Sequence, residues 1–178
     1  MNIQDNELKL RAVEIDDKDL LKDMINDPQT ENMVLGWSFP VSDKQQIEWI
    51  QAVNMDSRNL KLIIQTKESD AVGLISLTSI DMKNRTATIN VKLNRRNKNK
   101  GIGYKAVNLI LKYAFNELNL NTIAANILEY NEGSQKLFEK CGFVKEGILK
   151  NRIYKNGKYH DILSYSITRE NSHERNRE

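Results

Sequence analysis

Between Lys61 and Leu118 the apolar pattern changes period once, from strand to helix, and the change falls on a basic loop with two glycines. Before the loop, residues 61–66 and 71–80 are rich in Ile, Leu, Val and Thr. Residues 85–93 then alternate Ala87, Ile89, Val91 and Leu93 with polar side chains. This predicts three strands of a meander, turned at Glu68-Ser69-Asp70 and at residues 81–84. After the loop, Val107, Ile110, Leu111, Ala114 and Leu118 fall on one side of a helix, and Lys105, Asn108, Lys112 and Asn116 on the other. A meander that feeds a helix through a loop needs an α/β layer arrangement.

The flanking segments extend this order. Residues 8–13 alternate as a strand. Asp16 or Asp17 can cap a first helix whose apolar side is Leu20, Leu21, Met24 and Ile25, with Asp27-Pro28 ending it. Ser42 and Gln45 have the spacing of a capping box, which opens a second helix carrying Ile47, Trp49, Ile50 and Val53. Residues 122–128 read as a strand and 132–141 as a helix, with Gly142 placed for a left-handed end. Residues 143–154 and 159–168 read as a strand pair, and Asn156-Gly157 between them as its hairpin turn. One domain, residues 1–170, accounts for the pattern, and residues 171–178 form a polar tail.

The 178 residues carry 27 Lys and Arg against 24 Asp and Glu, a net charge of +3 that does not by itself indicate nucleic acid. The distribution is more telling. Lys92, Arg95, Arg96, Lys98, Lys100 and Lys105 follow one another with no acidic residue between them. Such a run is either a solvated loop or a site for a polyanion. The glycines and the helix behind them favour the second reading. A helix start leaves backbone N–H groups without partners, its dipole attracts an anion, and glycine lets a phosphate approach the backbone. Neither the P-loop nor the dinucleotide G-x-G-x-x-G pattern is present. One cysteine, Cys141, and two histidines, His160 and His173, offer no metal-ligand spacing, so no metal is expected. The lone cysteine, and a polar start (residues 1–11) without an apolar signal core, lead us to expect a cytoplasmic location and no membrane association.

Three segments carry a family resemblance: Lys98-Asn99-Lys100-Gly101-Ile102-Gly103, then Asn131-Glu132-Gly133-Ser134, then Leu137-Phe138-Glu139-Lys140-Cys141-Gly142-Phe143. Together they resemble the GNAT superfamily of N-acetyltransferases over residues 8–168. Glu146-Gly147 and Asn156-Gly157-Lys158-Tyr159-His160-Asp161 look like its ribosomal-protein N-terminal and spermidine acetyltransferase branch. The family loop usually starts with Arg or Gln followed by Gly, where this chain has Lys98 and Asn99; Asn accepts the left-handed angle that Gly would take.

The resemblance implies a mixed, mostly antiparallel sheet of six to seven strands, flanked by about four helices and splayed between the fourth and fifth strands. It also implies an acetyl-CoA-dependent N-acetyltransferase that acetylates a primary amine (an amino sugar, a polyamine or a peptide N-terminus) without an acyl-enzyme. Acetyl-CoA would lie along Val91 and Leu93, with its pyrophosphate on Lys98, Asn99, Lys100, Gly101, Ile102, Gly103 and Tyr104, and with Asn131 and Phe138 beside it. A backbone N–H near Leu93 would stabilise the oxyanion. The family often has a tyrosine where this chain has Phe138, so Ser134, or else Tyr130 or Tyr104, is the candidate to bond the leaving sulfur, unless positioning alone suffices. Glu129, Glu31 and His160 are candidate bases. Glu31, Trp37, Tyr154 and Tyr159 would line the acceptor side, and a second subunit could complete it as a homodimer. Cys141, set among Phe138, Gly142 and Phe143, reads as a core residue rather than a nucleophile. Two other readings are a non-catalytic acyl-CoA-binding regulatory domain, suggested by Phe138, and a basic nucleic-acid-binding module using Arg95, Arg96 and Tyr104.

Overall fold

The period-two segments form strands and the helical ones form helices, and the computed structural model describes residues 3–36, 39–68 and 71–175. β1 (Ile3–Gln4) and β2 (Leu8–Arg11) lead into α1 (Lys18–Asn26), α2 (Pro28–Met33) and α3 (Asp43–Val53). The meander follows as β3 (Leu60–Thr66), β4 (Gly73–Asp81) and β5 (Thr86–Leu93). Then come α4 (Ile102–Asn116), β6 (Thr122–Leu128), α5 (Glu132–Lys140), β7 (Val144–Lys155), β8 (Lys158–Thr168) and α6 (Arg169–Arg175). The eight strands make one sheet in the order β1-β2-β3-β4-β5-β6-β8-β7. Every neighbouring pair is antiparallel except β5 with β6.

Helices cover both faces. α4 buries Ala106, Val107, Ile110, Leu111, Ala114 and Phe115 in the larger core, against β-strand residues such as Ile64, Ile75, Leu77 and Ile123. Each fully buried Ile or Leu there contributes about 1.5–3 kcal/mol. On the opposite face, Leu21 of α1 and Ile50 and Val53 of α3 close a smaller core over Val13 and Ile63.

The sheet has one strand more than the six to seven expected, because the two residues of β1 pair with Leu10 and Lys9 and are too few to show alternation. Six α-helices among the described residues replace the expected four or so. Asp27-Pro28 ends α1 as read, but it also starts α2: Asp27 accepts N–H bonds from Gln29 and Thr30, and Pro28 occupies the first helical position, where its missing N–H costs nothing. At the chain's end, residues 169–175 continue from β8 as helix, where a polar tail was expected from residue 171. Asp17 does not cap α1 with its side chain. Its buried carboxylate instead takes both ends of the Arg11 guanidinium, at 2.7 and 2.8 Å, and the Glu14 N–H. The capping box at Ser42 and Gln45 is present, Gly142 is left-handed at φ 89°, and Asn156 and Gly157 turn the hairpin at φ 52° and 82°.

Candidate functional site

The basic loop is built by local backbone conformation. Asn94 accepts the Asn97 N–H at 3.1 Å and closes a short turn, after which Asn99 and Gly101 both take positive φ, 61° and 77°. Gly101 is the N-cap of α4, and no side chain bonds the first turn. The N–H groups of Ile102, Gly103 and Tyr104 lie in that turn, where a helix supplies no partner of its own. A Cβ added to Gly101 would meet nothing within 4 Å, so the approach to these donors is open. Lys98 and Lys100 stand exposed beside them, while Lys105 is taken by Glu7. This donor set fits a pyrophosphate. Gly103 serves packing instead: its Cβ would come 3.4 Å from Leu137 of α5 and 3.7 Å from Leu93 of β5. Tyr104 stacks beneath the Lys140 ammonium, 4.8 Å from its ring centroid.

β5 and β6 pair only at Thr86–Thr122, Ala87–Ile123 and Thr88–Ala124 and then part. Beyond Thr88, the edges they turn toward each other lose their ladder. The Asn94 N–H and the Thr88 carbonyl both bond toward the β4 side. Alternation therefore points the N–H groups of Ile89, Val91 and Leu93 into the gap. On the far side, Glu129 N–H bonds to Asp161 of the β8 edge, so the Asn126 backbone faces the gap from β6. Open strand edges of this kind can bind an amide-bearing chain as a strand would.

A cleft of about 540 Å³ opens at the gap and runs under α1, α2 and α3. It brings together Val91, Asn131, Ser134 and Phe138 of the expected site residues. Asn131 has two duties. Its Oδ1 accepts the Ser134 N–H at 3.1 Å as the cap of α5, and its Nδ2 donates to the Met33 carbonyl at 2.9 Å, tying α2 to α5. Phe138 is buried edge-to-face against Phe143 at 4.9 Å. Leu93 packs into the main core near Gly103.

Of the three groups that could serve the sulfur, Ser134 alone lines the cleft. Tyr130 donates its hydroxyl to the Asn32 carbonyl at 2.7 Å, and burial, with Glu31 and Glu129 nearby, pushes its pKa up. The other acceptor-side residues lie away from the lining. Glu129 meets His160 Nδ1 at 2.9 Å, and the imidazole is buried edge-on to Tyr130. Glu31 is held by Lys155. Tyr154 and Tyr159 pair across the hairpin tip, 63% and 62% exposed. Trp37, with Ser69 and Asp70 of the expected turn, lies outside the described residues. No group of His, Cys, Asp and Glu suited to a metal occurs among the described residues.

Three residues of this region take places that local sequence does not signal, and Lys92 enters the sequence pattern only as part of the basic run. Lys155 is buried although it flanks an Asn-Gly turn. Lys61 and Lys92 line the cleft although polar positions on half-buried strands ordinarily face water.

Comparison with known proteins agrees with this fold. Residues 7–144 match the acetyltransferase (GNAT) domain family. An uncharacterized N-acetyltransferase p20 of Bacillus licheniformis is 32% identical over 163 residues, 90% of this chain and 92% of that protein. The crystal structure of the Vibrio cholerae spermidine N-acetyltransferase in complex with CoA and spermine shares the fold, with a TM-score of 0.88 at 24% identity over 94% of this chain and 99% of that one. A dodecameric structure of the same Vibrio enzyme matches with a TM-score of 0.78 at 26% identity, over 92% and 95% of the two chains. No described helix is long and apolar enough to cross a membrane. The chain belongs to the GNAT acetyltransferase family and is an acetyl-CoA-dependent enzyme that acetylates an amine.

Proposed function

We propose that acetyl transfer to a primary amine takes place directly in the gap between β5 and β6, with no acyl-enzyme. The single observation that carries this reading is the gap itself. It joins the donor-rich start of α4 to the cleft beneath α1 and α3 through an unpaired strand edge. When bound, acetyl-CoA supplies the activated acetyl group. The N–H groups of Ile102, Gly103 and Tyr104 hold its pyrophosphate, with Lys98 and Lys100 adding charge and Asn99 and Gly101 shaping the turn. The Val91 N–H, with Leu93 one pleat further on, holds the thioester oxygen and stabilises the negative charge that develops there. Ser134 gives a hydrogen bond to the departing sulfur. In sum, an N–C bond forms, the C–S bond breaks, and one proton passes from nitrogen to sulfur.

No carboxylate is proposed as a first base, because Glu31 and Glu129 are already engaged. A protonated amine can lose its proton to water, and positioning then supplies much of the rate. Phe138 has no proton to give and serves as an apolar wall, which favours Ser134 for the sulfur.

The acceptor is a small molecule or a peptide amine. An assembly of at least two subunits is part of the proposal, supported by the dodecameric Vibrio relative and by the exposed apolar Ile148 and Leu149 on the edge strand β7. A cytoplasmic location is proposed from the single buried cysteine, which suits a reducing compartment. The test is a panel of primary amines (amino sugars, polyamines, amino acids and peptides) read by release of CoA thiol. Amine-dependent release supports direct transfer, and failure with every amine contradicts it.

A further inference from the structure

The face of the sheet beneath α1 and α3 has an uneven charge. Lys61 of β3 pairs with Ser76 of β4, and Ser76 with Asn90 of β5, to form one cross-strand row. The next row on that face is Ile63, Leu74 and Lys92. Ile63 belongs to the core that α1 and α3 close, which fixes the face. Lys61, Ser76, Asn90 and Lys92 all line the cleft, joined from α3 by the buried Gln46. The wall from α1 is apolar, through Leu21, Met24 and Ile25, and α3 adds Trp49.

Among the described residues, no carboxylate lines this cleft. Lys61 rests its ammonium over the Trp49 ring, 4.9 Å from the centroid, and its charge reaches Asp56, which lies beyond α3 and outside the lining. Burial, and then the positive charge of Lys61, push the pKa of Lys92 down. Two cations facing one half-buried space repel each other until an anion enters. A polycationic acceptor would add to that repulsion, whereas an anionic one would relieve it.

We propose that Lys92 and Lys61 are specificity-determining residues of the acceptor cleft, and that the acceptor is a small primary amine with an apolar body and an anionic group, a carboxylate or a phosphoryl. The Lys92 and Lys61 ammonium groups bind the anion, with Asn90 and Gln46 as further donors. The apolar wall of α1 takes the body, and the amine is left to face the gap. This rests on the direct-transfer reading and names the class of acceptor that reading leaves open.

Matched acceptors test the proposal. L-Leucine is compared with 3-methylbutylamine, L-phenylalanine with 2-phenylethylamine, and O-phosphoethanolamine with ethanolamine; spermidine is the polycation. At least one anionic member is expected to exceed its neutral partner about tenfold in kcat/KM. Which pair shows the preference separates a carboxylate from a phosphoryl. Lys92→Met is expected to bring that ratio to within about threefold of unity, and Lys92→Arg to keep it, since the charge remains. Three results overturn the proposal while leaving direct transfer standing. They are a preference for spermidine or the neutral partners, a ratio that Lys92→Met does not move, and a Lys92→Met defect confined to KM for acetyl-CoA. Transfer to no amine at all overturns both.

Discussion

Lys155 Nζ lies 2.7 Å from Glu31 Oε1, joining positions 124 residues apart in sequence. The same ammonium donates to the Glu31 carbonyl at 2.8 Å and to the Gly36 carbonyl at 3.3 Å. One buried cation from the β7–β8 hairpin thus holds down α2 and the segment after it, which roofs the cleft through Met33, Val34, Leu35 and Gly36. Lys155→Met leaves these acceptors without their donor. It is expected to cost about 1–3 kcal/mol in urea unfolding. The acceptor KM should rise severalfold, because the roof loses its tie. An unchanged KM would show that the roof is held elsewhere.

Gly73 supports the other side of the gap. A Cβ there would lie 2.2 Å from the Lys92 carbonyl and 2.8 Å from Leu93 Cδ2. The first contact is with backbone and cannot be relieved by a rotamer change. Gly73→Ala is expected to cost about 1–3 kcal/mol and to lower kcat/KM, because β5 must move where it presents Val91 and Leu93. Wild-type stability and turnover together would count against this close approach.

Lys92 lowers stability while it serves binding. Its folded pKa lies below the ordinary lysine value, through burial and then Lys61. Between the folded and unfolded pKa values, the unfolded chain binds more protons, so stability rises with pH in that window. Below it, the folded protein carries the whole penalty. Lys92→Met is therefore expected to be more stable than the wild type at neutral pH, and the difference should shrink as pH rises through the Lys92 titration. Urea denaturation at several pH values measures both effects. A variant less stable at neutral pH would contradict the sign.

Ser134 is the hydroxyl placed to bond the sulfur. Its backbone N–H is already used by Asn131, so Ser134→Ala should leave the α5 cap intact. The expected result is a fall in kcat of about tenfold with little change in KM for acetyl-CoA, the pattern of an interaction made in the transition state. Unchanged kcat would remove Ser134 from the mechanism.

The strand-to-helix switch at the basic loop was readable because it depends on neighbours in sequence. The periodicity of residues 85–93 and the left-handed turn at Asn99 are local, and each stands where the pattern predicts. The cleft's chemistry was not readable, because it depends on register. Lys61 and Lys92 come near each other only when β3, β4 and β5 align, and Lys155 meets Glu31 only after the whole sheet is built. Asp27-Pro28 shows a further limit. The same dipeptide stops one helix and starts another, and period alone sees only the stop.

The central claim, direct transfer within the gap, is tested most plainly by initial rates with acetyl-CoA and an accepted amine varied together. The lone cysteine is fully buried, so a covalent acetyl carrier of that kind is not available at the surface. Double-reciprocal lines that intersect are the predicted result, since both substrates must be bound before transfer. Parallel lines, the signature of a ping-pong acyl-enzyme, would contradict the account.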